Sequence, residues 1–127
     1  MILAMILVDT SVWIGHLRET DTRLQHALLE GEVVGHPFVI GELACGNLTN
    51  RAEILTLLKT LPMAPQVDFD EYLFFIDEHQ LQGRGIGFVD VHLLASAALG
   101  QAKLWTKDKR LNSAAVDLDL DYRFQKK

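Results

Sequence analysis

Four acidic residues occupy positions where a carboxylate is unusual. Two follow short apolar strands and two interrupt apolar helical segments; in chain order the four are Asp9, Glu42, Asp90 and Asp108. Burying a carboxylate without a partner costs several kcal/mol, whereas an acid near a helix amino terminus gains only about 0.3–1 kcal/mol. Asp9 alone is equally well explained as a helix cap. One shared divalent cation, however, accounts for all four acids at once.

The type of donor selects the type of cation. Hard carboxylate oxygens suit Mg²⁺, or alternatively Mn²⁺, whereas a zinc site would require patterned histidines and cysteines that this chain lacks. Ser11 and Thr106 place hydroxyls beside two of the acids, where they either orient water and phosphate or merely cap helices. His92, two residues after Asp90, is either a further site residue or part of the core.

Basic residues and glycines near these acids are open to more than one interpretation. Lys107, Lys109 and Arg110 surround Asp108, and they form either a solvated helix start or a contact for phosphate groups. The segment 83–87 is rich in glycine and contains Arg84. It follows a predicted helix rather than a strand and lacks the GK[ST] ending, so it is not a phosphate-cradling fingerprint.

The overall composition excludes several classes of protein. The 127 residues are 49% hydrophobic and 23% charged, which is typical of a folded globular domain. A formal charge of −5 argues against binding nucleic acid through a broad cationic surface, although metal ions can supply positive charge at an enzyme site. The single cysteine fits a reducing compartment. Neither a signal peptide nor a membrane span is predicted, so we expect a cytoplasmic protein with no membrane association.

Short apolar runs alternate with longer helical segments along the chain. Strands are predicted at residues 5–8, 33–36 and 103–106, with brief additional strands at 63–67 and 118–124. This alternation is typical of a parallel sheet covered by helices on both faces. We therefore predict one domain over residues 1–127 with an α/β fold. It should be a three-layer α/β/α sandwich with a short-stranded, mostly parallel central sheet of about four or five strands and six or seven helices.

This sheet should gather two of the acids directly. The carboxyl ends of parallel strands meet at one edge, where open α/β sheets bind their ligands. Asp9 and Asp108 each follow a strand and are expected at that edge. Glu42 lies in the helix after the second strand, and Asp90 lies in the first turn of the apolar helix 88–99.

Four sequence blocks carry a resemblance to a known family. They cover nearly the whole chain in the order Val8–Ile14, Gly41–Leu43, Asp90–Ala97 and Leu104–Leu111. Together they resemble the signature blocks of the PIN-domain family, and more narrowly those of VapC-type toxins of type II toxin–antitoxin modules. The extra Asp117, nine residues beyond Asp108, departs from the expected pattern, and we expect it to lie at the surface.

The resemblance implies a PIN-like α/β/α sandwich and a Mg²⁺- or Mn²⁺-dependent endoribonuclease. It implies that Asp9, Glu42, Asp90 and Asp108 are the catalytic and metal-binding residues, with Ser11 and Thr106 in supporting positions. It also implies an RNA substrate, a homodimer and inhibition by a cognate antitoxin protein.

Three alternatives stay open at this point. They are an RNA-processing nuclease of the same fold outside a toxin–antitoxin module, a non-catalytic PIN-like binding module, and a receiver-like signalling domain. The third is disfavoured because Asp9 has no acidic neighbour, although Lys107 does follow a late strand.

Overall fold

The sheet at the centre of the molecule is short and entirely parallel. The computed structural model describes residues 5–124. Within them, three strands in the order β2-β1-β3 are accompanied by seven helices. The elements are β1 (Met5–Val8), α1 (Thr10–Arg18), α2 (Thr22–Leu29), β2 (Val33–Val34), α3 (Pro37–Cys45), α4 (Arg51–Lys59), α5 (Phe69–His79), α6 (Phe88–Leu99), β3 (Ala102–Trp105) and α7 (Lys109–Asp117). The predicted α/β/α class is confirmed.

The middle strand is buried on both faces, as its unbroken apolar composition requires. Leu7 and Val8 of β1 are 0% and 1% exposed. In the parallel register Leu7 lies beside Leu104, and Val8 lies beside Trp105. Because Val8 and Trp105 are the last residues of their strands, the chain segments that follow them leave the sheet at the same edge.

The predicted strand at 63–67 is reduced to one bridge between Gly35 and Met63. The Gly35 amide donates to the Pro62 carbonyl at 2.8 Å, and the Ala64 amide donates to the Gly35 carbonyl at 2.8 Å. Pro62 and Pro65 flank this pair and have no amide hydrogen, so the ladder cannot continue in either direction.

The predicted edge strand at 118–124 is also reduced to one bridge, between Leu104 and Asp121. Asp119, two residues after the end of helix α7, takes a left-handed conformation with φ of 56°. This turn allows only a brief pairing, in which the Tyr122 amide donates to the Leu104 carbonyl at 2.9 Å. In place of the brief strands predicted at 63–67 and 118–124, the structure therefore has a single bridge at each edge.

Helix α6 lies against β3 and is the most buried helix of the fold. Its residues Val91 to Ala97 are all buried, and Gly100 ends it as predicted. No helix among residues 5–124 combines the length and apolar character needed to cross a bilayer.

Candidate active site

Asp9 is a buried carboxylate that accepts hydrogen bonds from three neighbouring residues. It follows β1, caps α1 and is 7% exposed. The Thr10 amide donates to Oδ1 at 2.8 Å, while the hydroxyls of Ser11 and Thr106 donate to Oδ2 at 2.9 and 2.7 Å. Three hydrogen-bond donors fix the orientation of this carboxylate. Asp9 is therefore both a helix cap and a rigidly held acid.

Thr106 joins Asp9 to Asp108. Its hydroxyl donates to Asp9 and accepts the amide hydrogen of Asp108 at 3.0 Å. Asp108 is exposed and caps α7, since its Oδ1 accepts from the Leu111 amide at 2.9 Å. The two acids expected at the carboxyl edge of the sheet are thus linked through one side chain. Ser11 reinforces the link by accepting from the Lys107 amide at 3.0 Å.

Glu42 reaches this group from α3 through a residue that the sequence analysis missed. The Thr10 hydroxyl donates to Glu42 Oε1 at 2.6 Å, across 32 residues of sequence. Thr10 directly follows Asp9, so its backbone amide bonds one acid while its side chain bonds another. Its proximity to Asp9 was the available signal, but nothing in the sequence pairs it with α3.

Asp90 stands in the first turn of α6, where the Gly87 amide donates to its Oδ2 at 3.2 Å. It is half-buried rather than buried as predicted, because the buried part of α6 begins only at Val91. Burial raises the pKa of Asp90 above its usual value, and the Gly87 hydrogen bond opposes this effect. The negative charges of Asp9, Asp108 and Glu42 raise the pKa of Asp90 further.

The fold therefore brings all six predicted site residues into one region. Asp9, Ser11, Thr106 and Asp108 share hydrogen bonds, Glu42 is connected through Thr10, and Asp90 lies within the electrostatic reach of the other acids. Among residues 5–124, no lysine, arginine or histidine forms an ion pair with any of the four acids.

The donors fit a hard divalent cation, since they are all carboxylate or hydroxyl oxygens. In this structure, however, the side chains are not close enough together to coordinate one cation jointly. Among residues 5–124, no three acidic, histidine or cysteine side chains are grouped closely enough to hold a metal ion as they stand. Each of the four acids accepts at least one hydrogen bond from the protein.

Two residues left open by the sequence have structural roles. His92 is 5% exposed and stacks on Tyr72, with ring centroids 4.4 Å apart and planes inclined by 16°. Burial lowers the pKa of His92, so its neutral form packs among aromatic rings. Asp117 lies at the surface, as expected, and pairs with Arg84 at 2.8 Å.

His36 was predicted as the end of a strand but is the buried cap of α3. Its Nδ1 accepts from the Phe38 amide at 3.0 Å, and Nε2 lies 3.0 Å from the Ser96 hydroxyl. Because Nδ1 accepts, the ring proton is on Nε2 and is donated to Ser96. His36 thereby ties the helix that carries Glu42 to the helix that carries Asp90. Burial lowers its pKa to about 4, assisted by the proximity of His92.

Comparison with known proteins identifies related sequences over most of the chain. A family model described as the PIN domain matches residues 6–117. Ribonuclease VapC32 of Mycobacterium tuberculosis, in strains CDC 1551 / Oshkosh and ATCC 25618 / H37Rv, is 51% identical over 114 residues. That match covers 89% of this chain and 92% of the relative.

Two solved structures share the fold at low sequence identity. VapBC-1 from nontypeable Haemophilus influenzae aligns with a TM-score of 0.69 and 17% identity, covering 94% of this chain and 96% of that chain. PAE2754 from Pyrobaculum aerophilum aligns with a TM-score of 0.58 and 19% identity, covering 87% of this chain and 79% of that chain.

Proposed function

The chain belongs to the PIN-domain family, and from this premise we propose that it is the toxin of a type II toxin–antitoxin module. Its activity would be that of a divalent-cation-dependent endoribonuclease, which hydrolyses phosphodiester bonds in RNA. The relative named Ribonuclease VapC32 supports both the reaction and the toxin assignment.

The observation that carries the catalytic part of the proposal is the uncompensated charge of the site. The pKa of Asp90 is raised in part by three other carboxylates, and no described basic side chain pairs with any of the four. Such a group of acids gains from a bound cation, because the cation removes their mutual repulsion. We propose Asp9, Glu42, Asp90 and Asp108 as the residues that hold it, with Mg²⁺ as the natural ion and Mn²⁺ as a substitute.

A divalent cation in this position would supply Lewis acidity at the phosphate and would lower the pKa of water. The protein supplies orientation and proton transfer. Asp9 is held by three donors, so it would require little reorganisation on loading. Glu42 is exposed, and the hydrogen bond from the Thr10 hydroxyl holds its carboxylate in position. This carboxylate would accept a proton from the attacking water.

The partners of the protein are part of the same proposal. The structural similarity to VapBC-1 supports a cognate antitoxin protein as the partner of this chain. We also propose a homodimer, as the family resemblance implies, and action in the cytoplasm, where the RNA substrate and the antitoxin would be met. We place all of these functions in a single domain spanning residues 1–127.

We expect the purified protein to cleave single-stranded RNA with Mg²⁺ and to stop when EDTA removes the ion. Glu42→Gln should lower the cleavage rate by roughly 100-fold, because glutamine can neither accept the proton of the attacking water nor place a negative charge beside the cation. Glu78→Gln is a matched control, because Glu78 is an exposed acid on α5. Induced expression should arrest growth, and Glu42→Gln should relieve the arrest in proportion to its lost activity.

Three outcomes separate this proposal from its rivals. RNA cleavage that persists in EDTA would contradict the metal-dependent mechanism. A protein that binds RNA without cleaving it would be a binding module. Metal-dependent cleavage without growth arrest would indicate an RNA-processing nuclease outside a toxin–antitoxin module.

A further inference from the structure

The structure separates the basic residues near the site into two kinds. Arg84 is already engaged, because its guanidinium pairs with Asp117 at 2.8 Å and donates to Ser113 at 3.3 Å. Lys107 and Arg110 form no ion pair with any carboxylate of residues 5–124, although the chain carries an excess of acids. Their positive charges are therefore available to another anion.

Lys107 lies against α1 at a glycine. Its backbone amide donates to the Ser11 hydroxyl, which in turn donates to Asp9, so the residue begins beside the acids. Its side chain crosses Gly15, where an added Cβ would collide with the ammonium nitrogen. The missing side chain at Gly15 thus leaves room for Lys107 along the helix that Asp9 caps.

Arg110 likewise packs against a glycine, in the loop that leads to Asp90. An added Cβ at Gly85 would lie 2.7 Å from Nη1 and 2.9 Å from Cδ of Arg110. Gly85 also has φ of +79°, a conformation that residues with side chains rarely adopt. The sequence alone did not explain the glycine-rich segment. In the structure, its residue Gly85, five residues before Asp90, provides a surface on which Arg110 packs.

The location of these two groups suggests what they bind. RNA carries one negative charge per phosphate, and the acids repel every phosphate that does not contact the cation. Lys107 places its ammonium group beside Gly15 of α1, and Arg110 places its guanidinium group beside Gly85 in the loop before α6. Two cations around an acidic centre would offset that repulsion for the phosphates next to the cleaved bond. Such contacts position the backbone without reading its sequence.

We propose that Lys107 and Arg110 form a phosphate-binding pair that seats the RNA backbone across the acidic site. This inference rests on the proposed function, since it takes RNA as the substrate. It gives the pair the role of binding the substrate rather than of catalysing the reaction.

The test measures how the affinity for RNA depends on salt. A fluorescent single-stranded RNA is titrated with the full-length protein in EDTA, so that metal-dependent cleavage does not interfere, at several salt concentrations. Lys107→Ala and Arg110→Ala should each weaken binding and reduce the slope of log K against log salt by roughly 0.7, the value for one phosphate contact on a single strand. The double variant should lose about 1.4. Lys107→Arg should retain the slope because it keeps the charge.

Lys109→Ala is the matched control, because Lys109 lies between the two and is exposed. Its slope should stay close to that of the wild type. The inference is overturned if Lys109→Ala lowers the slope as much as the other two, or if neither Lys107→Ala nor Arg110→Ala changes it. Wild-type protein that cleaves RNA while these slopes stay equal would refute the phosphate pair alone. Wild-type protein that shows the slope pattern but never cleaves RNA would refute the nuclease proposal alone.

Discussion

Asp90→Asn is expected to cut RNA cleavage by roughly a hundred- to a thousandfold while making the metal-free protein more stable. The loss of activity follows because the stabilisation that a metal site provides amounts to several kcal/mol, and each 1.36 kcal/mol is a factor of ten in rate. The gain in stability follows because burial and three nearby acids disfavour the charged form of Asp90. Asparagine keeps an oxygen that can accept from the Gly87 amide.

The sign of the pH dependence provides a separate check. Because the folded pKa of Asp90 is raised, the wild-type protein loses stability as the pH rises through that pKa, and asparagine does not. Thermal unfolding in EDTA should therefore favour Asp90→Asn at pH 7, and the advantage should vanish well below pH 3.8, where Asp90 is protonated in both states. Asp77→Asn, at an exposed acid of α5, should change neither property. An Asp90→Asn protein with wild-type cleavage, or one less stable at pH 7, would contradict this account.

Acidification from pH 6.5 to pH 4 is expected to remove about 3 kcal/mol of stability through His36 alone. The folded pKa of His36 is about 4 against an ordinary 6.5, and each pKa unit corresponds to 1.36 kcal/mol. The unfolded chain binds the proton first, so this stability is fully present above pH 6.5 and is lost as the pH falls towards 4. His92 contributes with the same sign, because burial lowers its pKa too.

Denaturant unfolding at several pH values measures this loss. His36→Asn should be less stable than the wild type at pH 7, since it loses packing in a fully buried position. Asparagine remains a good helix cap, however, and the drop between pH 6.5 and 4 should shrink by about 3 kcal/mol. His26→Asn, at an exposed histidine, should retain the full drop. An equally large drop in His36→Asn would show that His36 is not the residue that titrates.

The sequence was sufficient for the central strand and the two acids next to the sheet. Unbroken apolar runs predict buried parallel strands, and parallel strands place Asp9 and Asp108 at one edge for geometric reasons. Helix α6 was also predictable to the residue, because Gly87 and Gly100 bound a continuous apolar segment. These features depend on local pattern and on simple rules of topology.

The remaining features depend on tertiary contacts that no local pattern encodes. The Thr10–Glu42 hydrogen bond joins residues 32 apart, and the His36–Ser96 hydrogen bond joins residues 60 apart. The side-chain positions of Lys107 and Arg110 depend on glycines that lie far away in the sequence. Asp90 is less buried than predicted, because helix α6 is buried only from Val91 onward.

Anomalous diffraction from crystals grown with Mn²⁺ tests the central claim most directly. The account predicts a strong manganese peak within coordination distance of Asp9 and at least one oxygen from Asp90 or Asp108, and its loss in crystals of Asp90→Asn. Manganese bound only at other surfaces, or absent at concentrations that support RNA cleavage, would show that these acids do not hold the catalytic cation.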